Sequence, residues 1–228
     1  MTESPEQPAQ PERPAPPATP AAAGPGLDVT PSDRAVAYPS FPVQFDVGYQ
    51  REYKRWMPLV KWLLAIPHWF VLLFLLIGAG VAVIAAWFAV LFTGRYPAGL
   101  FTFLVGVIRW VMRVFAYTML LVDPYPPFSL EDDPTYPVRF NVDYPPDGKI
   151  ARWRVFFAWV PVIPQLIIGS VVVWVAYILE VVAFFAILFR KQIPRGVFDL
   201  IVNAQRFSLR ANAYAYWLTE RYPGFAWG

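Results

Sequence analysis

The sequence predicts a mainly α-helical membrane protein made of two pseudo-repeats, and three observations predict it. Two apolar runs, WLLAIPHWFVLLFLLIGAGVAVIAAWFAVLF (62–92) and WVPVIPQLIIGSVVVWVAYILEVVAFFAILF (159–189), are each longer than the roughly 20 helical residues that cross a bilayer core. A shift of 97 positions lays Ile66-Pro67 on Ile163-Pro164, Phe92 on Phe189 and Pro97 on Pro194. Hydrophobic residues reach 57% and charged residues only 15%, against about 45–50% and 25% in soluble domains. Each repeat is expected to hold a short β-strand, a long apolar membrane helix or helical hairpin, and an amphipathic cationic helix. A disordered Pro/Ala-rich N-terminus precedes them.

That N-terminal tail, residues 1–37, holds nine prolines before Ser32. Proline fixes φ and removes a backbone donor, and the tail has no apolar pattern to bury. It carries five acids and two bases, so the other residues carry the positive balance of a chain whose net charge is +3. It does not read as a signal peptide, since it opens on acids and prolines. The first repeat is expected over 38–130 and the second over 131–228.

FPVQFDVGY (41–49) alternates, with Val43, Phe45 and Val47 on one face and Gln44 and Asp46 on the other. YPVRFNVDY (136–144) repeats the alternation. Period two with aromatic and β-branched residues marks a half-buried strand. An isolated strand needs a partner. The two copies are expected to pair with each other, or with the segments near Phe128 and Phe225.

Basic residues and tryptophan then mark a membrane–water boundary: Lys54, Arg55, Trp56 and Lys61 in one copy, Lys149, Arg152, Trp153 and Arg154 in the other. Residues 69–92 carry no charge at all, and residues 166–189 carry one, Glu180. An intramembrane carboxylate is costly and is a functional candidate by default. It shares a face with Ala176 and Ala183, so it is expected to point toward protein. Basic residues flank both ends of both runs, which strains the positive-inside rule for a single crossing. A hairpin turning at Gly78-Ala79-Gly80 in the first copy and at Gly169-Ser170 in the second, positions that do not align, would remove the strain. A single kinked helix better fits the continuity of apolar residues, and Pro67 and Pro164 fit either a first turn or a kink.

The second helical stretch of each repeat bears a polar stripe. Asp199, Asn203, Arg206 and Arg210 are spaced four, three and four apart, which is one helical face. Arg109 and Arg113 stand at the matching positions of the first copy. Such a cationic amphipathic helix is suited to the interface. Buried in a bundle, its arginines would instead be packed against protein.

Chemistry is scarce. Without cysteine there is no disulfide, thiolate nucleophile or Cys-ligated zinc. The single histidine, His68, cannot form a His-rich metal site, and none of the common nucleotide, hydrolase or metalloprotease motifs is present. No catalytic residue, metal site or cofactor is expected, and the chain does not read as an enzyme. Its bases are interleaved with membrane-length apolar runs, which argues against nucleic acid.

FPVQFDVGY, Arg55-Trp56, KWLLAIPHWFVLLFLL, AAWFAVLFTGRYPAGLF, Arg109-Trp-Val-Met-Arg113 and DPYPPFSL together resemble the DUF4389 family of bacterial membrane proteins, a domain of unknown function. The likeness covers about 38–128, and again 136–225. The second copy departs from the pattern, with Gln165 in place of the histidine and RKQIPRGVF in place of TGRYPAGLF. The resemblance implies membrane location and duplication, and supplies no activity.

The expected role is therefore an integral protein of the cell membrane, structural or accessory. It would bind lipid headgroups, anionic ones included, or a membrane partner or second copy, through Arg109, Arg113, Arg206 and Arg210. The alternative is a small transporter or channel using Glu180.

Overall fold

The structure is a computed structural model and describes residues 41–224. The expectation for the tail, and a pairing role for Phe225, lie outside the described residues. One strand and three helices follow one another, twice over: β1 (Val43–Val47), α1 (Met57–Leu64), α2 (Ile66–Thr93) and α3 (Ala98–Thr118), then β2 (Val138–Val142), α4 (Arg154–Phe157), α5 (Ile163–Arg190) and α6 (Arg195–Ala215). A single 3₁₀ turn, Pro146–Gly148, precedes α4.

Each apolar run forms one long helix from its Ile-Pro pair onward, Ile66–Thr93 and Ile163–Arg190, with no turn at Gly78-Ala79-Gly80. The hairpin alternative is thus replaced by one long helix. A hairpin needs its two arms to bury an apolar seam against each other, and the seam here is spent elsewhere. Leu72, Ala82, Ala86 and Val90 recur at helical spacing and face α3. Ala176, Ala183 and Ile187 do the same for α5 against α6. Pro67 sits in the first turn of α2, where its missing N–H costs nothing, and Ala65 joins α1 to α2. The helix stops at Gly94, which takes the left-handed conformation at φ 69° and donates to the Val90 carbonyl. Lys191 adopts the same conformation at the matching end of α5, φ 56°.

The strands pair antiparallel with each other, Phe45 opposite Phe140 and Val43 opposite Val142. Since Phe45 and Phe140 are equivalent residues of the two repeats, a pseudo-twofold axis passes through the middle of the ladder. The strands are also exchanged. β2, from the second repeat, packs along α3 of the first, and β1 packs along α6 of the second. The same exchange governs the ends. The Tyr49 hydroxyl donates to the Ile193 carbonyl, and the Tyr144 hydroxyl to the Tyr96 carbonyl. Tyr53 N–H donates to Lys191 at 2.9 Å, and Ile150 N–H to Gly94 at 3.0 Å. Val43, Phe45, Val47, Val138, Phe140 and Val142 all enter one core with both amphipathic helices, so neither repeat closes its core alone.

Gly148 permits this junction. Its φ is +66°, and an added Cβ would meet the Tyr144 hydroxyl and the Tyr96 carbonyl well inside contact distance. Gly148→Ala should therefore lower stability in detergent by about 2 kcal/mol or more, read as a fall in Tm. Gly80→Ala and Gly196→Ala, where an added Cβ meets nothing within 4 Å, should leave Tm unchanged or raised.

Candidate functional site: arginine clasps and an apolar outer face

The polar stripe of α3 turns inward. Arg109 donates from Nε to the Phe140 carbonyl (2.9 Å), from Nη1 to the Leu130 carbonyl (2.8 Å) and from Nη2 to Asn141 Oδ1 (3.3 Å). Arg113, fully buried, donates to the carbonyls of Ser129 (3.2 Å) and Glu131 (2.8 Å) and lies over the Tyr136 ring. Asp132 stands 3.8 and 4.0 Å from the two guanidiniums. Gly106 makes room for this arrangement, since Leu130 lies 3.0 Å from where its Cβ would be. The two arginines thus fasten β2 and the inter-repeat linker onto α3.

In the second repeat Arg206 donates from Nε to the Phe45 carbonyl at 3.0 Å and from Nη1 to Asn203 Oδ1 at 2.8 Å, with Asp46 3.6 Å away. Arg210 lies over the Phe41 ring, 5.2 Å from its centroid. Arg109 and Arg206 therefore hold equivalent carbonyls of each other's strands. All four arginines on the predicted stripe engage the protein. Arg206 and Arg210 stay half-buried, while Arg113 has no surface to offer a headgroup.

Two of the bases expected at a membrane–water boundary, Lys61 and Arg154, are instead buried in the protein. Lys61 Nζ donates to the Val122 carbonyl (2.8 Å), pairs with Asp123 (2.8 Å) and lies 5.1 Å from the Tyr117 ring centroid. In the second repeat the position equivalent to Lys61 is Ala158, and the cation comes from Arg154, one helical turn earlier. Arg154 donates to the Thr219 carbonyl (3.0 Å), approaches Glu220 (3.9 Å) and sits over Tyr214 at 4.3 Å. Thr219, Glu220 and Tyr214 are the equivalents of Val122, Asp123 and Tyr117.

His68 is fully buried in an aromatic box. Phe128 stacks on it at 4.0 Å, Tyr125 tilts over it, and Trp110 Nε1 donates to its Nδ1 at 3.1 Å. Gln165 replaces it in the second repeat and donates to the Tyr222 hydroxyl. Among the described residues, no group of three or more His, Cys, Asp or Glu could hold a metal.

Glu180 lies half-buried on α5 between Ala176 and Ala183, and no hydrogen bond or ion pair reaches it from the described residues. Its equivalent, Val83, lines an apolar cleft of about 440 Å³ between α2, α3 and the C-terminal end of α6. The free faces of α2 and α5 are apolar and broad: Phe70, Phe74, Ile77, Val81, Ile84 and Phe88 on one, Ile167, Val171, Trp174, Ile178, Val181 and Phe185 on the other. Three helical segments among the described residues are long and apolar enough to cross a membrane: Met57–Thr93, Ala98–Thr118 and Ile163–Arg190.

The fold therefore defines a duplicated helical protein whose helices carry membrane-compatible apolar faces. The chain belongs to the family described as "Domain of unknown function (DUF4389)", which matches residues 55–129 and again residues 152–226. The tandem copies seen in the sequence are thus two copies of one domain. No curated protein and no solved structure matches the chain.

The two cation sites make a graded prediction. Asp123 is buried and Glu220 is half-exposed. Lys61→Ala should cost about 3–5 kcal/mol, because it strands a buried carboxylate. Arg154→Ala should cost less, and adding Asp123→Asn to Lys61→Ala should recover part of the loss. Denaturant unfolding of the detergent-solubilised variants measures all three.

Proposed function

We propose that the chain is an integral protein of the cell membrane with a structural or accessory role and no catalytic one. The observation that carries the reading is the pair of free faces on α2 and α5. Contiguous apolar surface beyond a few hundred Å² is rare on soluble monomers and marks a membrane or partner site. The free positions on these two helices form two long apolar stripes, too extensive for scattered surface residues.

Anionic headgroups are the proposed polar ligand, or else the acidic surface of a membrane partner. The four stripe arginines serve mainly to hold strands and linker. Recruitment therefore falls to exposed bases at the helix ends: Arg95, Lys149 and Arg152 at one end, Lys54, Arg55, Arg190 and Lys191 at the other. Polybasic clusters near a bilayer contribute about 1 kcal/mol per residue toward an anionic surface. The transport alternative draws little from the apolar cleft, which lies against α2 and α3 and does not include Glu180.

Two measurements test this. The protein should stay with the membrane pellet through alkaline carbonate and require detergent for release. Release by carbonate alone would sink the reading. Changing Arg95, Lys149 and Arg152 together to Gln should weaken binding to vesicles rich in anionic lipid several-fold and flatten its salt dependence, with little change on neutral vesicles. Unchanged binding and salt dependence would remove the headgroup role.

A further inference from the structure

The apolar helices are long enough to cross a bilayer, but the elements packed beside them restrict how they can lie. β2 runs along the length of α3. Tyr136, before the strand, donates to the Pro124 carbonyl beyond the C-terminal end of α3 and lies by Arg113. Phe140, mid-strand, meets Arg109 in mid-helix. Tyr144, after the strand, meets Tyr96 and the Phe101 ring at the N-terminal end. α2 runs antiparallel on the same helix, with His68 at Trp110, Gly78 at Phe103 and Gly94 just before its start. Strand and α2 therefore both lie along α3, the strand beside part of the length of α2. The pseudo-twofold repeats this for β1, α6 and α5, with Phe41 at Arg210, Phe45 at Arg206 and Tyr49 at Phe198.

The outer face of the strand pair is polar and exposed: Gln44 opposite Asn141, and Asp46 opposite Arg139. Among the described residues no third strand covers either edge, and only the central edge carbonyls, of Phe140 and Phe45, are taken, by Arg109 and Arg206. Open sheet edges do not occur in lipid hydrocarbon, where unpaired backbone groups have no water to bond. If α2 stood across the bilayer, the sheet beside it would be carried to the same depths. A bilayer lying parallel to all these axes avoids the conflict, because the sheet then faces water while α2 and α5 are submerged.

The basic clusters fit only the second arrangement. The end of α2 and the start of α4 meet where Ile150 bonds Gly94. The start of α1 and the end of α5 meet where Tyr53 bonds Lys191. Eight residues of strand separate these two corners, about 27 Å. In a crossing helix they would fall on opposite membrane faces, each carrying lysines and arginines. In a reclining one they share a face, as the positive-inside rule demands. The 28 residues of α2 also measure about 42 Å, well beyond a hydrocarbon core of about 30 Å.

We propose that the protein is monotopic: α2, α3, α5 and α6 lie in the plane of one leaflet, the free faces of α2 and α5 enter its acyl region, and the strand pair and both basic corners remain on one aqueous side. This rests on the membrane reading above and specifies its geometry.

The absence of cysteine makes the test direct. Single cysteines at the exposed positions Phe74, Ile77, Val81, Ile84 and Phe88 carry bimane in the full chain. The chain is reconstituted in vesicles whose lipids hold nitroxides at shallow or deep acyl positions. The proposal expects one similar depth at all five sites, quenched more by the shallow nitroxide. A profile deepest at the helix centre and shallow toward the ends would overturn it while leaving membrane insertion intact. Absence of quenching at every site would overturn the membrane reading itself. As a second measurement, cysteines at Lys54 and Arg95 should react with an impermeant thiol reagent from the same side of sealed, uniformly oriented vesicles. Labelling from opposite sides would also overturn it.

Discussion

The pairing of Phe45 with Phe140 is the constraint on which the rest of the structure depends. Their strands have no other strand to pair with among the described residues. Each would therefore leave unpaired backbone if the other were removed. Two strands alone are marginal in water. What makes this pair stable is the surface beneath it, one amphipathic helix per strand, with each strand docked on the other repeat's helix. The arginine clasps complete it. Arg109 and Arg206 donate to the carbonyls of Phe140 and Phe45, the two residues that face each other across the ladder. A hydrogen bond from a charged donor is worth about 1.5–3 kcal/mol. Both clasps act on the central residues of the ladder, so they fix the register of the strands as well as their position.

Divergence between the repeats respects the same geometry. The buried cation over Tyr117 is a lysine reaching from mid-α1, and the one over Tyr214 is an arginine reaching from one turn earlier. Arginine's longer reach and planar fork suit the displaced origin. The site is conserved in space between the two copies while the residue that supplies it has moved. His68 and Gln165 show the same principle. Both present a polar side chain to equivalent tyrosines, Tyr125 and Tyr222, whose hydroxyls donate to the carbonyls of Leu64 and Pro161. The histidine's surroundings, enclosed by three aromatic rings, are those of a packed core residue.

Much of this architecture was legible in the sequence. Alternation in FPVQFDVGY and YPVRFNVDY located both strands, and equivalent patterns in two copies suggested their pairing. Helical spacing put Arg109 with Arg113 and Arg206 with Arg210 on single faces. The direction those faces take was not legible, because a cationic stripe has the same spacing whether it meets headgroups or carbonyls of another segment. The exchange of strands was hidden for a related reason: periodicity reports which face of an element is buried, and says nothing about which element buries it. The Lys61 and Arg154 sites left no aligned signal because the cations stand at non-equivalent positions.

The exchange also bears on why two copies occupy one chain. A single repeat would end its core at an unpaired strand and an uncovered amphipathic helix. It could satisfy both only against a second copy related by a twofold axis, the commonest symmetry of homodimers. Joining the copies makes the second strand available at high effective concentration and removes the entropic cost of association. It also fixes the relative orientation of the halves. An axis through the middle of an antiparallel strand pair, with equivalent side chains on one face, stands normal to that face. Both repeats therefore direct their apolar helices to the same side of the sheet. In the monotopic arrangement proposed above this axis would stand normal to the membrane, unlike that of inverted repeats, which lies in the membrane plane, and copies of one sense would need no reversal of the bases at their helix ends.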